Sequence, residues 1–165
     1  MNQWYVVNTK VREETKALFN LKRQSFNAYL PQYKKTRRHA RRTDLVLAPL
    51  FPNYLFVEFD MDITKWSAIN STIGVSSLIK FGLLPTPIPT ELIREIQNRE
   101  DPKGIVSLNR KLKLKEGDEV NIVAGAFAKH SGIFECQNDD ERIVILLSLM
   151  GRDVRVRLPS SAISA

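Results

Sequence analysis

The sequence predicts an α+β protein, with a mainly antiparallel sheet flanked by helices in its N-terminal part and a small closed β-barrel of about five strands in its C-terminal part. Three observations carry that expectation. The segment Pro49-Leu-Phe-Pro-Asn-Tyr-Leu-Phe-Val-Glu-Phe-Asp60 is an aromatic strand whose start is fixed by two prolines. Apolar residues recur at helical spacing on both sides of it. Beyond residue 114, glycines separate short alternating stretches, as tight turns separate strands.

Trp4-Tyr-Val-Val7 reads as the first strand. Arg12 to Asn27 has helical spacing, with Ala17, Leu18, Leu21 and Ser25 as an inward stripe and Pro31 closing the unit. Strands are expected at Tyr29–Tyr33 and Asp44–Leu47, and the run Lys34-Lys-Thr-Arg-Arg-His-Ala-Arg-Arg42 reads as the tip of the hairpin between them. The period of two then puts Tyr54, Phe56 and Glu58 on one side of the next strand and Leu55, Val57 and Phe59 on the other. One side fills the core. The other is either a second buried face or, with Phe51 and Pro52, an aromatic patch open to a partner's helix. A helix near Ile63–Asn70, a turn at Thr72-Ile-Gly74, a strand Val75–Lys80 and a helix Pro89–Glu100 complete a first domain over residues 1–100. Residues 101–114 read as a polar, basic linker. In residues 115–165, Val120 and Ile122 alternate ahead of Gly125 and Gly132, and Arg142–Leu149 is rich in β-branched and apolar residues. Met150-Gly-Arg-Asp153 supplies a turn, and Val154, Val156 and Leu158 alternate with Arg155 and Arg157 before Pro159. These are the expected barrel strands.

Charge is concentrated at one end. Residues 1–42 hold 11 Lys and Arg against Glu13 and Glu14, whereas residues 43–165 hold 14 against 16 Asp and Glu. Such asymmetry is the footprint of a surface that replaces counterions around phosphates. On the helix face away from the apolar stripe, Lys16, Asn20, Arg23, Gln24 and Asn27 recur at three- and four-residue steps, with Lys10 at the end of the preceding strand. That face can hold phosphate by charge and base edges by hydrogen bonds; the alternative is a plain solvated face. The hairpin tip, with Arg37, Arg38, Arg41 and Arg42, suits a duplex backbone without sequence preference.

Composition also excludes chemistries. One cysteine, Cys136, and two histidines, His39 and His130, rule out a four-ligand Cys/His zinc site and leave a Ser-His-Asp triad little to draw on. Asp139-Asp-Glu141 is the lone acidic cluster and reads as a solvated turn, so no metal, no cofactor and no nuclease or other enzymatic activity is expected. A lone cysteine fits a reducing cytoplasm. Apolar runs stay below the roughly 18 residues of a membrane span, and the first residues lack the basic start of a signal peptide. A soluble cytoplasmic monomer is expected.

Trp4-Tyr5, the run Pro49–Val57, Thr72-x-Gly74-Val75, and Gly117-Asp-x-Val120 with Gly125-x-Phe127 and Gly132 follow one another in an order that resembles the NusG family of transcription elongation factors, most closely its specialised RfaH-like branch. The last group is a KOW motif. Ribosomal proteins share that motif, but its combination with the aromatic strand in a short chain is specific. The resemblance implies a non-enzymatic factor that rides on bacterial RNA polymerase and suppresses pausing and termination. It implies that Phe51, Pro52, Tyr54 and Phe56, with Ile93 and Ile96, bind the coiled-coil clamp helices of the largest polymerase subunit, while Lys65, Trp66 and Ser67 touch the opposite side of the cleft.

The resemblance further implies recruitment by a DNA element on the non-template strand. Lys10, Gln24 and Thr72 match positions serving that contact, and Lys16 and Arg23 keep basic character. Asn20 stands where an RfaH-type factor has His, and Ile73 where it has Arg, which implies altered or relaxed sequence choice. Factors of this branch fold their second domain either as the KOW barrel or as an α-helical hairpin docked on the clamp patch. Gly132, Gly151, Pro159 and the Val154/Val156 alternation favour the barrel. Ala48 stands where the autoinhibited relatives place an acid, which would leave Arg142 without its interdomain mate. In the barrel form the family binds a small-subunit ribosomal protein, here through an apolar edge that includes Phe127 and Met150, unless Phe127 fills the barrel core. A general housekeeping NusG-like factor and a ribosome-associated KOW protein binding RNA are the competing functions.

Overall fold

The computed structural model describes residues 1–108, 133–134 and 138–150. In chain order these form β1 (Gln3–Thr9), α1 (Glu14–Arg23), β2 (Asn27–Tyr29), β3 (Gln32–His39), β4 (Arg42–Pro49), β5 (Tyr54–Phe59), a 3₁₀ turn (Trp66–Ser71), β6 (Val75–Leu78), β7 (Pro87–Ile88), α2 (Thr90–Asn98) and α3 (Asp139–Leu149). Contacts divide the chain into two units, Met1–Ser107 and Leu108–Ala165.

β1 and β5 centre the first unit because both can be apolar on each side. They pair antiparallel with Tyr5 opposite Val57 and Val6 opposite Phe56, in the strand order β2-β5-β1-β6, and β7 adds to β1. On one face Tyr5, Val7, Leu55, Val57 and Phe59 meet Ala17 and Leu21 of α1 and Ile69 of the 3₁₀ turn, and the Tyr5 and Phe59 rings stack at 4.2 Å. The opposite face carries Trp4, Val6 and Phe56, all buried, with Tyr29 edge-on to Trp4 at 6.4 Å. Leu92, Ile93 and Ile96 of α2 are buried as well. β5 is therefore buried on both faces. Of the two alternatives for this face, the structure shows the buried one: Phe51 and Phe56 have no exposed surface, and Pro52 and Tyr54 are half-buried.

Local backbone explains where the elements depart from the sequence reading. Arg12 (φ 61°) and Ser25 (φ 69°) sit in the left-handed region, so α1 cannot run from Arg12 to Asn27 and Ser25 falls outside its stripe. Pro31, lacking an N–H, separates β2 from β3, which splits the strand expected at Tyr29–Tyr33. The basic run is not a loop. β3 and β4 continue through it as a two-stranded ribbon, paired from Gln32–Pro49 to His39–Arg42, and only Ala40 (φ 46°) and Arg41 (φ 68°) make the turn. Two successive positive φ values match the twist of a two-residue hairpin connection. The helix expected at Ile63–Asn70 is the shorter 3₁₀ turn Trp66–Ser71.

Residues 101–107 fold onto the first unit, since Glu100 bridges Val106 and Gln32 bridges Ile105. Asp101 anchors this return, its carboxylate accepting from the N–H groups of Lys103 (2.8 Å) and Ile105 (3.0 Å). Those bonds, the Ile105 one foremost, hold its carboxyl below the usual carboxylate range.

In the second unit the strand expected over Arg142–Leu149 is a helix, α3. Asn138 caps it, accepting from the Glu141 N–H at 2.9 Å, and Asp139, Asp140 and Glu141 place negative charge at its positive end. Buried Arg142, Leu146 and Met150 recur at four-residue steps, the helical period. The acidic trio is thus a helix start, not a solvated turn. The barrel positions from Val120 to Gly132, Phe127 among them, and from Gly151 to Pro159 lie outside the described residues.

Candidate functional site

Three short elements converge beside the C-terminal half of α1. The Lys10 N–H donates to the Gly74 carbonyl at 2.9 Å, which ties the end of β1 to the 72–74 loop. Gly74 adopts φ 89° and lies so close to α1 that a Cβ there would stand 2.7 Å from the Ala17 nitrogen. About two turns further along, the Gln24 side-chain amide donates to Thr72 Oγ1 at 2.8 Å, and the Thr72 hydroxyl donates to the Ala68 carbonyl at 3.0 Å. Thr72 is buried and Ile73 beside it is exposed.

The structure thereby brings Lys10, Lys16, Asn20, Arg23, Gln24, Thr72 and Ile73 onto one surface. Their chemistry divides in two. Lys10, Lys16 and Arg23 are exposed cations, Lys16 also meeting Glu13 at 3.5 Å. The polar groups are partly committed inside the fold: the Asn20 amide donates to the Lys16 carbonyl at 2.8 Å, and Gln24 bonds the Asn20 carbonyl at 3.3 Å besides Thr72. Thr72 acts by positioning the loop, with its hydroxyl turned inward. Sequence reasoning missed Phe19, which is 66% exposed on the same helix. Its signal was an aromatic ring three residues after Lys16 and four before Arg23.

The ribbon is a separate basic element. Register puts Lys35, Arg37, His39, Arg42 and Asp44 on one face, and Lys34, Thr36, Arg38, Thr43, Leu45 and Leu47 on the other. Arg37 reaches Asp44 at 3.6 Å, and Arg38, Arg41 and Arg42 are exposed. Leu45 and Leu47 are exposed too, so the two faces differ: one is cationic, the other mixed apolar and cationic.

The aromatic face is built from rings in series. Phe51 meets Phe56 edge-on at 5.6 Å, and Phe56 lies 6.5 Å from Tyr29. The Tyr29 hydroxyl donates to Glu100, and burial followed by that bond pushes the phenol well above its ordinary range. Two further bonds fix the start of β5: the Asn53 N–H donates to buried Glu14 at 3.0 Å, and the Asn53 carbonyl accepts from Thr9 at 2.7 Å. Ile93 and Ile96 are buried. Lys65 and Ser67 are exposed, while Trp66 packs partly on the core with Lys80 Nζ 5.9 Å from its ring centre.

Ala48 sits half-buried opposite Tyr33 in the ribbon. Arg142 is buried and paired with Asp139 one helical turn back, within α3. Met150, placed on an exposed edge for the barrel form, is buried at the end of α3. Among the described residues no group of His, Cys, Asp or Glu is placed to hold a metal ion, and no helix is long and apolar enough to cross a membrane.

Comparison with known proteins bears on the first unit and the whole chain. The family model "Transcription termination factor nusG" matches residues 2–97. The "Transcription termination/antitermination protein NusG" of Thermus thermophilus is 26% identical over 184 residues, covering 98% of this chain and 97% of that protein. The protein of the same description from Halalkalibacterium halodurans is 27% identical over 168 residues, covering 94% and 93%. A solved structure described as "Domain interaction in Thermotoga maritima NusG" aligns with a TM-score of 0.45 at 23% identity, over 73% of this chain and 69% of that one.

Proposed function

The chain belongs to the NusG family, and from that premise we propose that it rides on bacterial RNA polymerase as an operon-specific antiterminator that contacts non-template DNA and suppresses pausing and termination. The observation that supports this reading is the strip gathered around Gly74, where Lys10, Lys16 and Arg23 present charge beside Gln24 and Ile73. A cationic strip with side-chain amides suits an unpaired strand, whose backbone is anionic and whose base edges are free. The ribbon residues Arg37, Arg38, Arg41 and Arg42 supply a second contact, to duplex backbone.

Polymerase binding falls to the aromatic face of Phe51, Pro52, Tyr54 and Phe56 with Ile93 and Ile96, meeting the clamp helices, and to Lys65, Trp66 and Ser67 across the cleft. A factor that prefers the closed clamp stabilises it by population shift. Because Phe51, Phe56, Ile93 and Ile96 are buried, the clamp-competent state is a fraction of the whole, and apparent affinity falls with that fraction. Coupling to a small-subunit ribosomal protein belongs to the barrel form of the second domain, through an apolar edge with Phe127 and Met150.

Similarity along nearly the full length of general NusG proteins favours a second reading, a housekeeping elongation factor. Mapping the factor on polymerase across the genome separates the two: a few sharp sites are expected, and uniform occupancy would establish the general role. Lys10→Ala or Gln24→Ala is expected to reduce recruitment to those sites while leaving capture of a clamp-helix fragment intact. Equal recruitment of variant and wild type would refute the DNA strip.

A further inference from the structure

We propose that Phe19 is a stacking platform for an unpaired base, and that it forms one wall of a track whose other wall is Ile73. The inference rests on the reading of the α1 surface as a single-stranded DNA contact and adds a residue and a mode of recognition to it.

Phe19 stands on α1 with 66% of its surface exposed, and among the described residues it has no aromatic or cationic partner. Three of its four neighbours on the helix surface are basic, Lys16 three residues before it, Lys22 three after and Arg23 four after, and the fourth is exposed Thr15. A lone exposed phenylalanine is ordinary on a protein surface. Here a second apolar residue answers it across the cations. The Gln24–Thr72 bond sets Ile73, 58% exposed, on the Gln24 side of the helix, whereas helical spacing puts Phe19 beyond Arg23 and Lys16 on the opposite side. Charge runs between two apolar walls. A phosphate backbone over Lys16 and Arg23 carries its bases to either side, and a flat base seeks the face of a ring. Stacking is sequence-tolerant because every base has a π-face. An acidic peptide satisfies the charge but gives no reason for a bare ring, so the occupant assigned is single-stranded DNA.

The test compares two labelled oligonucleotides of about nine residues, one intact and one with abasic residues at its centre, by fluorescence anisotropy with the full chain. Wild type is expected to bind the intact strand more tightly. Phe19→Ala is expected to weaken binding of the intact strand roughly five- to hundredfold and to leave the abasic strand unchanged, and Phe19→Trp to restore it. Arg23→Ala, which removes a phosphate contact, is expected to weaken both strands alike. If Phe19→Ala binds the intact strand as wild type does, or weakens both strands equally, the platform is overturned while the DNA reading stands. If wild type binds neither strand, the DNA reading fails and the platform falls with it. Since Phe19 lies outside the core, an unchanged thermal midpoint of Phe19→Ala confirms that the comparison is made on folded protein.

Discussion

At the scale of single residues, Gly74 is the position where backbone geometry and the candidate site are one problem. Its φ of 89° costs an L-residue about 1–2 kcal/mol, and a Cβ added there would stand 2.7 Å from the Ala17 nitrogen of α1. Gly74→Ala meets both penalties, so a loss of roughly 2–4 kcal/mol is expected in denaturant unfolding, together with weaker binding of single-stranded DNA as the 72–74 loop is pushed off the helix. An unchanged unfolding midpoint would show that the loop is not seated as described. Asp101 governs a pH effect. Its carboxyl is held below its ordinary range, chiefly by the Ile105 N–H, so its contribution is present above the unfolded value of about 3.9 and is lost as pH falls through the folded one. Asp101→Asn keeps an acceptor but removes the titration. The variant is expected to be slightly less stable at neutral pH and to lose less stability than wild type on acidification below about pH 4. Parallel acid curves for the two proteins would count against this assignment.

Elements differ in how far the sequence alone discloses them. β1, β5 and α2 are legible because local pattern decides them: short apolar, aromatic-rich runs in the strands, apolar spacing in the helix. The ribbon is not, since charged residues on both strands give no hydrophobic alternation and its length follows from cross-strand pairing. Arg142–Leu149 misleads in the opposite sense. Its β-branched run resembles a strand, while the signals that make it a helix, the Asn138 cap and the acidic first turn, lie just ahead of it. The candidate site divides in the same way. Basic spacing on α1 is visible in the sequence, but its union with Thr72 and Ile73 depends on the close approach of Gly74, and the period of two could assign Phe56 a side without deciding its burial. Phe19 escapes a search for faces because it is an apolar residue on the wrong one. For the ribbon itself, the two faces make unequal contacts with duplex DNA. The face of Lys35, Arg37, His39 and Arg42 lies against the backbone, so Arg42→Ala is expected to lower the slope of log affinity against log salt by roughly one, and Lys34→Ala, on the Leu45 and Leu47 face, to leave it unchanged. Equal slope changes for both variants would mean that the ribbon does not lie with one face down.

At the scale of the molecule, charge and binding chemistry belong to one unit. Residues 1–107 hold 16 Lys and Arg against 10 Asp and Glu, whereas residues 108–165 hold 9 against 8. Each candidate nucleic-acid residue, from Lys10 to Ile73, lies in the first unit, and so does the core formed by α1 against the Tyr5, Leu55 and Val57 face of the sheet. Residues 101–107 close that unit through the Glu100–Val106 bridge and the Asp101 turn, so a fragment cut after Ser107 keeps these contacts, whereas one cut after Glu100 loses them. A fragment of residues 1–107 is therefore expected to unfold in one cooperative transition and to bind single-stranded DNA within about twofold of the full chain, with the same salt slope. Denaturation followed by two probes and anisotropy at several salt concentrations provide the check. A broad, non-coincident transition would mean that Met1–Ser107 does not form a self-sufficient core. A large loss of affinity in a well-folded fragment would move part of the nucleic-acid contact into residues 108–165, against the near balance of charge there.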